Sequence, residues 1–201
     1  MASWRFNSIE PMMTQVLVPL AQGCEELEAV TIIDLLRRAG ITVVTAGLDA
    51  EPVVASRGIR LLPDCTLDEA LEHDYDMVVL PGGQPGSDNL NKDARIHALL
   101  KTMAHGGKFT AAICAAPAVL AHAGILTGKH ATAFPGTLEK LGLSDITLTD
   151  QPVVKDGMVI TSQGPGTAMD FALELIEVLV GKAKRNHIVA GLQRPAQHRL
   201  R

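Results

Sequence analysis

The fold is decided by residues 109–124, FTAAICAAPAVLAHAG, where a β-rich run passes through small residues into a helical run. Residues 109–114 combine apolar and β-branched side chains over a short length, which is typical of a buried strand. Residues 116–123 predict a helix, and Gly124 is expected to end it because glycine adopts the left-handed conformation of a helix C-terminus without strain. A strand that turns directly into a helix is the repeating unit of an α/β sheet.

The same alternation extends along most of the chain. Strands are predicted at residues 14–21, 42–47 and 77–80, and helices at residues 26–39 and 92–105. Strands that alternate with helices favour a mostly parallel sheet with helices on both faces. Further predicted elements are a hairpin from residues 53–55 and 59–62, a capped helix at 66–73, β-structure at 146–148 and 153–162, and a helix at 167–180.

Composition and charge exclude several classes of protein. The net charge is −4, and the Lys and Arg residues are scattered apart from a basic segment at residues 182–201, which we interpret as a solvated surface. Neither nucleic acid nor a membrane is therefore expected as a partner, since no apolar run reaches the ~18 residues of a membrane span. No repeat or linker divides the chain, so we predict one domain over residues 13–201, preceded by a loose leader at residues 1–12 that lacks a signal-peptide core.

The three cysteines, Cys24, Cys65 and Cys114, stand far apart in the sequence. Their odd number and wide spacing argue against a disulfide framework, and no C-x-x-C or Cys/His spacing predicts a metal site. Free thiols indicate a reducing compartment, so we expect a cytoplasmic protein.

Cys114 is the candidate nucleophile. In parallel α/β sheets, functional groups gather where loops leave the carboxyl ends of strands, and residues 20–25, 80–83 and 112–117 form such loops. Cys114 lies at a strand-to-helix turn flanked by alanines, an arrangement that resembles a nucleophile elbow. The following helix N-terminus is expected to lower the pKa of the thiol from ~8.5 and so favour the thiolate. The alternative is an inert core thiol, which describes most free cysteines.

Glu28 is the candidate partner of this thiol. It lies near the start of the predicted helix at residues 26–39, from which a carboxylate can extend over the sheet edge. Two adjacent negative charges cannot both form cheaply, so the carboxyl would keep its proton and donate a hydrogen bond to the Cys114 thiolate. Such a pair is suited to moving protons on a bound carbonyl compound. The alternative is that Glu25, Glu26 and Glu28 only complement the helix dipole.

Four motifs in register resemble the ThiJ/PfpI superfamily. Their order and spacing match from about residue 16 to residue 181, which is most of the chain. Within the superfamily, the chain is similar to the branch of parkinsonism-associated deglycases and oxidative-stress chaperones. The motifs are Gly23-x-Glu25-Glu26-x-Glu28, Leu80-Pro81-Gly82-Gly83, the sequence AAICAAP at residues 111–117, and the sequence TSQGPGT at residues 161–167.

The resemblance implies a flavodoxin-like three-layer sandwich and assigns roles to five residues. Cys114 is implied to be the nucleophile, and Glu28 the protonated carboxyl beside it. Gly82, Gly83 and the backbone of Ala115 are implied to supply N–H donors of the oxyanion type. No metal and no organic cofactor is implied.

The resemblance also implies an activity and partners. Members of this branch are described as converting methylglyoxal and glyoxal without glutathione and as removing their early glycation adducts from proteins. Nucleic acid is expected as a substrate only when it is glycated. The same thiol is implied to sense oxidative stress. A homodimer is implied, and we expect its two-fold interface on the apolar face of the helix at residues 26–39 and near Ser56.

The sequence departs from the pattern of the superfamily at some positions, and other functions remain as alternatives. Phe134 stands where some relatives carry His, and Gln163 where others can carry Arg. Ala115 follows Cys114, whereas the peptidase-like branch of the superfamily carries a His directly after the corresponding Cys. No peptidase activity is therefore predicted. Two other functions stay open, which are a redox-regulated chaperone without turnover and a thiamine (thiazole phosphate) pathway protein. The second would need a phosphate cradle, and no glycine-rich loop with a following Lys is present.

Overall fold

The computed structural model describes residues 14–195, which build one seven-stranded sheet and two smaller pairs of strands. The predicted leader at residues 1–12 lies outside the described residues. In chain order the elements are β1 (Gln15–Leu20), α1 (Glu26–Arg38), β2 (Thr42–Gly47), β3 (Val53–Val54), β4 (Arg60–Leu61), β5 (Cys65–Thr66), α2 (Leu67–Ala70), β6 (Met77–Leu80), α3 (Gly86–Lys92), α4 (Ala94–His105), β7 (Phe109–Ile113), α5 (Pro117–His122), β8 (His130–Ala131), β9 (Thr147–Leu148), β10 (Val153–Asp156), β11 (Val159–Ser162), α6 (Ala168–Val180) and α7 (Lys182–Gly191).

The large sheet has the strand order β10-β11-β7-β6-β1-β2-β5. All neighbours are parallel except β10 and β11, which form an antiparallel hairpin at one edge. This arrangement confirms the predicted α/β flavodoxin-like fold. Because β6 lies between β1 and β7, the loops that follow these three strands leave the sheet side by side.

Helices cover both faces of the sheet and give the predicted three layers. Val16 and Val18 of β1 pack on one face with α1, α6 and α7, whereas Leu17 packs on the other face with α2, α3, α4 and α5. A strand with both faces buried needs apolar residues at every position, which is why β1 reads as a continuous apolar run. Within residues 14–195, no helix combines the length and the apolar character needed to cross a membrane.

Several helices differ from the sequence prediction. The helix expected at residues 92–105 begins at Ala94, because the Asp93 side chain caps it by accepting the Arg95 N–H at 2.9 Å. The preceding residues form α3, which was missed because its sequence GSDNLNK is rich in residues that favour turns. The basic segment also contains a helix, α7, and its Ile188 and Val189 are buried in the core.

Candidate functional site

The structure brings Cys114 and Glu28 together at the carboxyl edge of the sheet. Cys114 directly follows β7, Glu28 lies in the first turn of α1 after β1, and Gly82 follows β6. Glu28 Oε2 accepts the Gly82 N–H at 2.9 Å, and the carboxyl lies beside the Cys114 thiol, close enough for each group to shift the pKa of the other. The loops from three neighbouring strands therefore converge on one buried pair.

The backbone at Cys114 has the sharp turn that the sequence predicted. Its φ of +65° lies in the left-handed region, where a non-glycine residue pays roughly 1–3 kcal/mol. Two hydrogen bonds hold this conformation: the Cys114 N–H donates to the Ser162 carbonyl at 3.0 Å, and the Cys114 carbonyl accepts the Phe134 N–H at 2.8 Å. The strained turn presents the thiol away from the core strand that carries it.

Gly82 makes the close approach of the two side chains possible. A Cβ at Gly82 would lie 2.5 Å from Cys114 Cβ and 2.7 Å from Glu28 Oε2. Its N–H is used by Glu28, so Gly82 does not offer the oxyanion-type donor that was expected of it. The N–H groups of Gly83 and Ala115 lie near the sulfur and act to lower the pKa of the Cys114 thiol. A role of these two groups as oxyanion-type donors stays a prediction, and Gly82 instead orients the carboxyl.

Burial raises the pKa of Glu28 to about 7, against the opposing effects of the neighbouring Cys114 thiol and the Gly82 N–H. The residue is fully buried, and among the described residues its Oε1 has no hydrogen-bond partner. Glu28 is thus poised to gain or lose a proton near neutral pH, which a general acid–base group requires.

The thiol does not have the lowered pKa that the sequence suggested. Burial raises the pKa of Cys114 to about 12, and the charge of Glu28 adds to this, whereas the Gly83 and Ala115 N–H groups oppose it. The expectation was wrong because α5 begins only at Pro117 and the sulfur is buried beside a carboxylate. When Glu28 holds the proton of the pair, the repulsion disappears and the carboxyl becomes a donor to the sulfur.

The other acidic residues at the start of α1 have structural roles. Glu25 caps the helix by accepting the Glu28 N–H at 2.7 Å. Glu26 accepts the Ser56 hydroxyl at 2.9 Å and the Arg57 N–H at 2.8 Å, which anchors the β3–β4 hairpin over the helix. The helix-dipole alternative thus applies to Glu25 and Glu26, while the Glu28 side chain turns to the sheet edge.

A pair of hydroxyl groups supports the loop beside the thiol, and the sequence analysis gave them no role. Ser162 Oγ lies 2.7 Å from Thr167 Oγ1 and donates to the Pro152 carbonyl at 2.7 Å. Thr167 Oγ1 also accepts the Gly164 N–H at 3.1 Å. A Cβ at Gly164 would lie 4.0 Å from Cys114 Sγ, so this loop forms a wall of the site.

A cavity of about 410 Å³ opens over Cys114. Its lining combines an apolar rim, on which the Phe134 ring is about half exposed, with two cationic side chains. The lining includes Arg57, Phe134, Pro135, Lys140 and Pro165, and also the acidic Glu25. A small carbonyl compound fits this volume with room for a larger group attached to it.

The remaining thiols lie in other environments. Cys24 is 1% exposed, and burial with the charges of Glu26 and Glu25 raises its pKa to about 12. Cys65 is half-buried at β5, and burial raises the pKa of its thiol as well. Across residues 14–195, no group of three His, Cys, Asp or Glu side chains is placed to hold a metal ion.

This fold and this buried thiol–carboxyl pair define a flavodoxin-like protein with a cysteine on a strained strand-to-helix turn. The chain belongs to the DJ-1/PfpI family, which it matches over residues 14–178. It is 44% identical over 182 residues to the protein dj-1beta of Drosophila melanogaster, covering 90% of this chain and 97% of that protein.

Two further comparisons bear on the site. The chain is 37% identical over 177 residues to the glutathione-independent glyoxalase DJR-1.2 of Caenorhabditis elegans, covering 88% of this chain and 94% of that protein. The crystal structure of Drosophila melanogaster DJ-1beta superposes with a TM-score of 0.88 over 92% of this chain and 100% of that one.

Proposed function

We propose that this chain is a cysteine-dependent, glutathione-independent glyoxalase and deglycase. Its substrates would be methylglyoxal, glyoxal and their early glycation adducts on proteins. The observation that carries the proposal is the buried pair of Cys114 and Glu28, in which the Gly82 N–H orients the carboxyl at 2.9 Å. The similarity to a relative named as a glutathione-independent glyoxalase supports it.

The pair supplies the groups that the reaction needs. The Cys114 sulfur adds to the aldehyde carbon of methylglyoxal, and the former thiol proton passes to the carbonyl oxygen, which gives a hemithioacetal. Glu28 as carboxylate then removes the proton from that carbon to give an enediolate and returns it to the adjacent carbon, while the hydroxyl proton moves from the first oxygen to the second. The product is a lactoyl thioester, which water cleaves to lactate and the free thiol.

The proposal is tested by lactate formation from methylglyoxal without glutathione. Wild type and Cys65→Ala should both form lactate, because Cys65 lies at β5, away from the cavity lining. Cys114→Ala should form none. Equal turnover by Cys114→Ala would contradict the proposal.

The same thiol is proposed to sense peroxide. Oxidation to a sulfinate places new oxygens beside Glu28, which as an acid would donate a hydrogen bond to them. A redox-regulated chaperone without turnover is the alternative for this role. It would suppress aggregation without consuming dicarbonyl and would tolerate Cys114→Ser.

A homodimer in the cytoplasm is part of the same proposal. Five large apolar side chains on α1 and beside the β3–β4 hairpin are each at least 44% exposed, and a two-fold contact would bury them. A dimer by light scattering at micromolar concentration would support this, and a monomer would refute it. The five are Leu27, Val30, Val54, Ile59 and Leu62.

A further inference from the structure

A second cavity, of about 250 Å³, adjoins the cavity over Cys114, and Pro135 lines both. Its other lining comes from the chain around β8, from the segment after β9 and from Gln163, which precedes the loop beside the thiol. This volume is below the range of ordinary ligand pockets, so it suits one side chain or a small ion. The polar residues of the lining are Thr132, Glu139, Thr149, Asp150 and Gln163.

The charge of this second cavity is negative and uncompensated. Glu139 and Asp150 are its only charged lining residues, and neither belongs to an ion pair among residues 14–195. The nearby Lys140 lines the Cys114 cavity instead. A cation that entered here would meet two carboxylates without displacing a cation of the protein.

Thr132 supplies an independent sign of a missing partner. The residue is 2% exposed, and its N–H donates to Thr161 Oγ1 at 2.9 Å, but its own Oγ1 is buried and has no partner in the described chain. Buried hydroxyl groups are nearly always hydrogen-bonded, so this one calls for a ligand or water. Gln163 uses its Nε2 to donate to the Asp150 carbonyl at 3.1 Å, which leaves its Oε1 as a further acceptor.

We propose that this cavity binds a protonated primary amine, of which a lysine side chain is the natural example. An ammonium group offers three donors and no acceptor, and it matches a lining of a hydroxyl, an amide oxygen and two carboxylates. Its size also agrees with the small volume of the cavity.

That this amine is a lysine of the substrate polypeptide rests on the function proposed above. Pro135 separates the two cavities, so a polypeptide that crosses it can place a glycated residue over Cys114 and a neighbouring lysine in the second cavity. The enzyme would then favour adducts on lysine-rich segments over free dicarbonyl.

The test is a direct binding measurement in the Cys114→Ala variant, which separates binding from turnover. n-Butylammonium is titrated at constant ionic strength, and the amide NMR signals of Thr132 and Gln163 are followed, with K⁺ as the competing simple cation. We expect saturable shifts for n-butylammonium and weaker ones for K⁺. Asp150→Asn should raise the Kd three- to tenfold, whereas Asp145→Asn, which changes an exposed carboxylate outside the lining, should leave it unchanged.

Three results would overturn the inference: no saturable shift, equal shifts with K⁺, or the same Kd in Asp150→Asn and Asp145→Asn. Thr132→Val provides a second variant, and it should weaken n-butylammonium binding without altering the net charge of the cavity. Because the titration needs no turnover, its outcome does not depend on whether methylglyoxal is converted.

Discussion

Glu28 and Cys114 touch each other because the residue between them, Gly82, has no side chain. A Cβ at Gly82 would stand 2.5 Å from Cys114 Cβ and 2.7 Å from Glu28 Oε2, and the Gly82 N–H fixes the carboxyl at 2.9 Å. Three loops from different parts of the sequence thus depend on one another, and a change at any of them should separate the acid from the thiol.

Gly82→Ala should abolish methylglyoxal turnover. The φ of Gly82 is not in the left-handed region, so its own backbone conformation suits alanine. The added methyl group would push Glu28 and Cys114 apart and would also press on the Ile113 carbonyl at 2.8 Å. Overpacking of this kind costs about 1–3 kcal/mol of stability, which thermal unfolding would measure. Gly191→Ala is the control, because a Cβ there meets nothing within 4 Å. Normal turnover by Gly82→Ala would contradict the role of the pair.

Glu28→Gln should remove turnover and leave the fold intact, because the amide has nearly the shape of the acid but cannot exchange the proton. The variant should also change how stability depends on pH. Burial raises the pKa of Glu28 from 4.5 to about 7, so the folded protein binds more protons than the unfolded chain between these values. The stability from this group is fully present below pH 4.5 and is lost as the pH rises through 7.

The loss of stability is about 3 kcal/mol for a pKa that rises from 4.5 to about 7 on folding. Glu28→Gln does not titrate, so its stability relative to wild type should rise by roughly this amount between pH 4.5 and pH 8. Urea unfolding of both proteins across this range measures the difference. A constant difference would show that the carboxyl has an ordinary pKa.

Cys114 should be the first of the three cysteines to be oxidised by mild peroxide. The N–H groups of Gly83 and Ala115 and the carboxyl of Glu28 lie beside its sulfur, where they could donate hydrogen bonds to the oxygens of a sulfinate. Cys24 is 1% exposed and therefore poorly accessible to peroxide. Cys65 is half-buried, so it is the accessible thiol with which Cys114 is compared. Mass spectrometry of peroxide-treated protein locates the added oxygen. Preferential oxidation of Cys65 would contradict this expectation.

Thr167→Val should lower kcat more than it raises KM. Thr167 Oγ1 accepts the Gly164 N–H at 3.1 Å and lies 2.7 Å from Ser162 Oγ, so its loss loosens the wall beside the thiol without removing a reacting group. Thr167→Ser keeps the hydroxyl and should restore kcat, which a purely steric role would not explain. Thr147→Val, at an exposed position of β9, should behave as wild type.

The sequence was sufficient for the parts of the site that depend on local pattern. Cys114 could be placed on a sharp turn because a strand, small residues and a helix follow one another, and Glu28 could be placed beside it because it opens the helix after β1. The pKa of the Cys114 thiol was predicted in the wrong direction, because it depends on burial and on the distance to a charge, and neither can be read from residue order. The hydroxyl pair of Ser162 and Thr167 was missed for the same reason.

The protein should not cleave peptides, although a cysteine is proposed as its nucleophile. Amide hydrolysis by a thiol needs a base that takes its proton and returns one to the leaving amine, and histidine usually performs both steps. No histidine lines the described part of the cavity over Cys114; Ala115 follows the thiol, and Phe134 forms the rim. Glu28 can move a proton on an activated aldehyde, whose carbonyl is far more electrophilic than an amide.

His122 and His130 lie outside the lining of this cavity. His122 is in the last turn of α5. His130 is at the start of β8, and its Nδ1 lies 3.4 Å from Asp156 Oδ2. Incubation with casein or a fluorogenic peptide library should therefore give no cleavage by wild type above the level of Cys114→Ala. Cleavage that vanished in Cys114→Ala would show that another group serves as the base. It would also place the chain in the peptidase-like branch of the family.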